Sequence, residues 1–151
     1  MGWLFSWDRS VDRKALVAEK IADYKREGIY LDHSQVGNTL YIAAQLKTEV
    51  LIVVYLLQGG GKEHGWGYKD LDESMEPSVD DCPEKILKMS TCENPGAVKW
   101  RERCRAVRKR HSECYKYIRS LKAGDQVTYG GSKLTLRWVR NRNFFVARNA
   151  E

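Results

Sequence analysis

Val50 to Leu57 is an unbroken run of eight apolar residues rich in β-branched side chains, and it constrains the fold of this chain more than any other segment. A membrane-spanning helix needs about twenty such residues, so the run is far too short to cross a bilayer. β-Branching favours a pleated backbone, and the run reads as a central strand buried on both faces. Its neighbours agree. Leu40, Ile42, Ala44 and Leu46 alternate with Thr39, Tyr41, Ala43 and Gln45, which is strand periodicity, and Val36-Gly37-Asn38-Thr39 has the glycine-asparagine chemistry of a two-residue hairpin turn. Lys47-Thr48-Glu49 makes the next turn. An antiparallel meander is expected here.

A helix is expected from Val11 to Arg26, capped by Asp8 or Ser10, with Val17, Ile21 and Tyr24 on one face and Gly28 as its stop. Gln58 to Gly67 reads as a glycine-rich loop, and the acidic stretch Tyr68 to Glu76 follows. A short helix starts near Pro83, where Asp81 and Glu84 have the spacing of a capping box. Asn94-Pro95 opens a long helix to Leu121 whose stripe repeats Ala97, Trp100, Cys104, Val107, His111, Cys114, Ile118 and Leu121 in steps of three and four. Three short strands follow, Gln126–Tyr129, Leu134–Val139 and Phe144–Arg148, with turns at Gly130-Gly131 and Asn141-Arg142. The expected class is α+β: an antiparallel β-meander packed with an N-terminal helix and a long basic helix, plus a short C-terminal three-stranded β-meander. The expected organisation is one core domain over residues 1–122, with residues 123–151 as a β extension packed on it.

At 151 residues, 30 % charged and 42 % hydrophobic, the chain is sized for one globular domain and excludes a disordered tail, a collagen-like repeat and a disulfide scaffold. The opening MGWLFSWDRS has no basic leader, so no secretory signal is expected. Met1-Gly2 with Ser6 matches the short myristoylation pattern, which bulky Trp3 and Leu4 disfavour. Net charge is +6, unevenly spread: residues 63–84 hold eight acids against Lys69 alone, and residues 98–122 hold ten basic groups against Glu102 and Glu113. Such a chain is either polarised or self-neutralising, depending on whether the two segments pack together.

Four constellations invite chemistry. The cysteines at 82, 92, 104 and 114 form no C-x-x-C pair. Cys104, His111 and Cys114 share a helix face, but apolar neighbours make buried thiols the expectation, with no metal and no cofactor. Gly59-Gly60-Gly61-Lys62 follows a strand, yet no Ser or Thr follows the lysine and no helix opens there, so it fails as a phosphate loop. Asp70, Asp72 and Glu73, with His64 upstream, are the enzymatic candidates: on a strand the two aspartates would face one side, close enough to share a divalent cation or divide acid and base roles. The same acids could instead form a solvated surface or a counter-surface for the basic helix. Finally, Arg101, Arg103, Arg105, Arg108, Lys109, Arg110, Lys116 and Arg119 ring the non-apolar sides of the long helix. The tail adds Arg137, Arg140, Arg142 and Arg148, interleaved with Tyr129, Trp138, Phe144 and Phe145. Arginine supplies charge for phosphates and aromatics supply planar faces for bases. If the acids neutralise the helix, the tail arginines are the free basic patch and nucleic-acid binding is weak and salt-sensitive.

The stretch Gly65-Trp66-Gly67-Tyr68-Lys69-Asp70-Leu71-Asp72-Glu73-Ser74, then Asp81-Cys82-Pro83-Glu84-Lys85-Ile86-Leu87, then Trp100-Arg101-x-Arg103-Cys104-Arg105, resembles a family of small proteins of unknown function found mainly in bacteriophages, prophages and plasmids. The resemblance spans roughly residues 1–105, is densest from Gly65 to Leu87, and includes the Met-Gly-Trp start. It implies a mobile-element protein acting in a bacterial cytoplasm, and it points to Trp66, Tyr68, Lys69, Asp70, Asp72 and Glu73 as a partner-binding segment. The leading expectation is therefore a non-enzymatic binding protein of a phage or plasmid that engages a host protein, of counter-defence or inhibitor type. The alternatives are a small metal-dependent hydrolase built on Asp70, Asp72 and Glu73, and a nucleic-acid-binding module using the basic helix with Arg137, Trp138, Arg140, Arg142 and Arg148.

Overall fold

The run Val50–Leu57 lies at the centre of a five-stranded antiparallel sheet in a computed structural model that describes residues 3–6, 12–59, 66–140 and 143–148. The strands are β1 (Trp3–Ser6), β2 (Tyr30–Val36), β3 (Thr39–Leu46), β4 (Glu49–Gly59) and β5 (Trp66–Asp72), in the order β1-β5-β4-β3-β2. The class is α+β. From β2 to β5 the sheet is a plain meander. Gly37, at φ +55°, supplies the left-handed backbone that the β2–β3 turn requires.

β1 and β2 occupy opposite edges of the sheet, so the chain between them must cross one face. Helix α1 (Arg13–Arg26) makes that crossing. Its Val17 joins Leu40, Ile42, Val53, Tyr55 and Leu57 in one core layer, with Leu16, Ile21 and Tyr24 at the border. The other face carries Tyr41, Ala43, Ile52, Val54 and Leu71, and is covered by Cys82, by Ile86 and Leu87 of the short helix α2 (Glu84–Leu87), and by Trp100 and Cys104 of α3 (Pro95–Ser120). The alternation of β3 thus feeds two cores rather than a core and a wet face, which is why Thr39 to Ala44 is buried throughout.

Four local details differ from the sequence reading. The cap of α1 is Asp12, whose carboxylate accepts from the Lys14 amide at 2.9 Å; the expected caps Asp8 and Ser10 lie outside the described residues. Asp81 does not cap α2, where Pro83 holds the N-cap position without a side-chain bond, because its carboxylate accepts the hydroxyl of buried Tyr41. Part of the expected glycine-rich loop and most of the acidic stretch are strand: β4 extends to Gly59 and β5 begins at Trp66, and the two pair antiparallel. Trp3–Ser6, given no element from sequence, pairs with β5.

The chain divides into two compact units, Met1–Val107 and Arg108–Glu151, with the division inside α3. The 122/123 boundary expected from sequence marks the change from helix to strands. In the second unit, β6 (Gln126–Tyr129), β7 (Ser132–Arg140) and β8 (Asn143–Arg148) form the expected three-stranded antiparallel sheet in sequential order. The Gly124 amide donates to the Leu136 carbonyl at 2.8 Å, and the Leu136 amide donates to the Asp125 carbonyl at 2.9 Å, tying the turn after α3 to β7.

Candidate functional site

The acidic and basic segments do meet, over the first ten or so residues of α3. Glu73, at 0 % exposure, opens a single 3₁₀ turn (Glu73–Met75) after β5, and its carboxylate pairs with Arg101 at 2.8 Å. It also accepts from the Ile52 amide at 3.2 Å and from the Ser90 hydroxyl. Arg101 completes the network by donating to Ser90 Oγ and to the Cys92 carbonyl, both at 2.7 Å. Burial pushes the Glu73 carboxyl above the usual range, while Ser90, Arg101 and the Ile52 amide pull it down. Around this buried pair, Arg103 meets Asp80 at 2.7 Å, Lys99 meets Glu76 at 3.3 Å and Arg105 meets Glu84 at 3.3 Å.

The acid cluster does not converge. Asp70 is paired in register with Tyr55 and Asp72 with Val53, both members of the core layer under α1, whereas Glu73 turns to the α3 side. The two aspartates share a face, as expected of a strand, but Asp72 is engaged as the cap of the 3₁₀ turn, accepting from the Ser74 amide at 3.0 Å and from its hydroxyl. Asp70 lies near Tyr24 and Tyr55, whose hydroxyls bond at 2.9 Å, and burial together with that bond raises the Tyr55 phenol. Lys20 stands 5.0 Å from the centre of the half-buried Tyr68 ring. Lys69 is half-buried on β5. His64 and the side chain of Trp66 lie outside the described residues. Among the described residues no three His, Cys, Asp or Glu side chains gather as a metal-binding group.

The cysteines divide as well. Cys82, Cys92 and Cys104 are buried thiols outside any disulfide, and burial pushes Cys104 up to about 11. Cys114 is exposed, against the expectation from its helical stripe. The stripe explains the difference. Ala97, Trp100 and Cys104 face the sheet, but beyond Val107 it continues only as His111 and Cys114 before Ile118, and these present too little apolar bulk to secure a core.

From Arg108 to Ser120 every residue of α3 is exposed except half-buried Ile118. At 100° per residue, Arg108, Lys109, Ser112, Tyr115, Lys116 and Arg119 share an arc of roughly 120°, while Val107, Cys114, Ile118 and Leu121 lie on another side of the helix. Among the described residues no carboxylate pairs with Arg108, Lys109, Lys116 or Arg119. The second unit as a whole carries eleven basic and three acidic residues, against fifteen and seventeen in the first. Among the described residues, neutralisation by the acidic segment therefore stops near Arg105, and the exposed basic surface includes the distal helix and Arg137. Of the tail residues singled out from sequence, Arg137 is exposed, the side chains of Trp138, Arg140 and Arg148 are not among those described, and Arg142 lies outside the described residues. Tyr129 is 79 % exposed. Composition alone leaves open how much of α3 the acidic segment neutralises. The signal that separates its halves is the loss of bulky apolar residues from its stripe after Val107.

No protein-family model, curated protein sequence or solved structure matches this chain.

Proposed function

We propose that this protein is a non-enzymatic binding protein whose second unit binds nucleic acid through the distal half of α3. The observation that carries this reading is the split of the long helix. Lys99, Arg101, Arg103 and Arg105 are matched by carboxylates, whereas Arg108, Lys109, Lys116 and Arg119 are exposed together on one arc. A row of cations unmatched among the described residues favours a polyanion by releasing its counterions, a gain that already paired residues cannot supply. Engagement of a host protein through Trp66 to Glu73 has less support, since Glu73 is sealed in its ion pair and Asp72 holds the turn. The same placement weakens the hydrolase alternative. A phage or plasmid origin, implied by the resemblance, suits a small protein that acts on nucleic acid in a bacterial host.

Capture from bacterial lysate at low salt, with and without nuclease, tests this. Nucleic acid should be recovered with the protein, and co-purifying proteins should leave when nuclease is added. Protein partners retained after nuclease, with no nucleic acid recovered, would overturn the reading in favour of a host-protein target.

A further inference from the structure

We infer that the distal half of α3 enters the major groove of double-stranded DNA, with Ser112 facing the groove floor and Arg108, Lys109, Lys116 and Arg119 on the flanking phosphates. This rests on the nucleic-acid reading above and specifies its ligand. Two uncharged side chains share the cationic arc: Tyr115 at its border and, at its middle, the short polar Ser112, which lies between Arg108 and Lys116 at four-residue spacing on both sides. That is the arrangement of a groove-facing helix: long charged side chains reach outward to the two phosphate rails, and a small hydroxyl in the middle lets the backbone approach the base edges, where serine can serve as donor or acceptor. From Arg108 to Arg119 the helix rises about 16 Å, and its diameter of about 10–12 Å matches a major groove about 12 Å wide.

Charge and geometry also discriminate among polyanions. Single strands are bound in grooves where cations alternate with exposed aromatic platforms. Here Tyr117 falls on the far side of the helix from the cationic arc, so only Tyr115 lies among the cations of that surface. A-form RNA duplexes have a deep, narrow major groove that does not admit a helix.

The experiment is a fluorescence anisotropy titration of the full chain against a labelled DNA duplex two turns long, the RNA duplex of the same sequence, the single DNA strand, and polyglutamate as an acidic-protein mimic. The DNA duplex should bind tightest, by about tenfold or more, the discrimination one good base-edge contact provides. Ser112→Phe changes an exposed position and keeps every cation, so it should weaken duplex binding without weakening binding of the single strand, to which an added aromatic offers a stacking face. Equal or tighter binding of the single strand or the RNA duplex, or an unaffected Ser112→Phe variant, would overturn groove entry while leaving the nucleic-acid reading standing. Failure to bind any of the three nucleic acids would overturn both, and preference for polyglutamate would reassign the face to an acidic protein.

Discussion

Glu73 and Arg101 join three parts of the chain that are distant in sequence: the end of β5, the central strand β4 through the Ile52 amide, and α3. With Glu73 fully buried and Arg101 8 % exposed, the pair is held by geometry and by its additional donors and acceptors rather than by Coulomb attraction alone. Removing one partner leaves an uncompensated buried charge. Arg101→Met should therefore cost about 3–5 kcal/mol in urea unfolding, whereas Glu73→Leu combined with Arg101→Met should cost clearly less than Arg101→Met by itself. A loss below about 1 kcal/mol for the single variant, as for an exposed pair, would contradict the network. The sequence marked Glu73 as chemically interesting but not why. A carboxylate beside two aspartates looks the same whether it faces solvent or a guanidinium on a helix twenty-eight residues away, and only the strand register separates it from Asp70 and Asp72.

At the scale of elements, much of the fold was legible. β3, β4, α1, α3 and the C-terminal strands were readable because alternation, β-branching and three-four spacing are local signals that the tertiary environment reinforces. What escaped was non-local. β1 is short and stabilised by pairing with β5 at a distance, and the cap assigned to Asp81 was lost to a better partner, the Tyr41 hydroxyl. Gly96 shows the same competition. Alanine favours a helix by about 1 kcal/mol over glycine, so propensity alone would make Gly96→Ala stabilising. A Cβ at this position would however collide with the Ser74 carbonyl oxygen, where the first turn of α3 rests on the 3₁₀ turn. Since backbone rather than a flexible side chain is in the way, Gly96→Ala should destabilise the protein by about 1–3 kcal/mol, the range of an overpacked core. A raised melting temperature in calorimetry would show that the two turns are not so closely apposed.

For the whole molecule, the decisive feature is how its charge is distributed. The formal net charge of +6 is the sum of a slightly acidic first unit and a strongly basic second one. Sequence alone posed a choice between a polarised and a self-neutralised chain, and the structure contains both, one in each half of α3. The salt dependence of duplex DNA binding tests this division most directly. With four phosphate contacts, log K should fall against log salt with a slope of about −3.6, roughly a 150-fold loss between 50 and 200 mM. Arg108→Gln with Arg119→Gln should make that slope shallower by about 2, while Lys99→Gln with Arg105→Gln, which removes cations already matched by Glu76 and Glu84, should leave it unchanged. A slope near zero for the native chain, or one that responds to the Lys99 and Arg105 replacements but not to those at Arg108 and Arg119, would contradict a nucleic-acid interface on the distal helix.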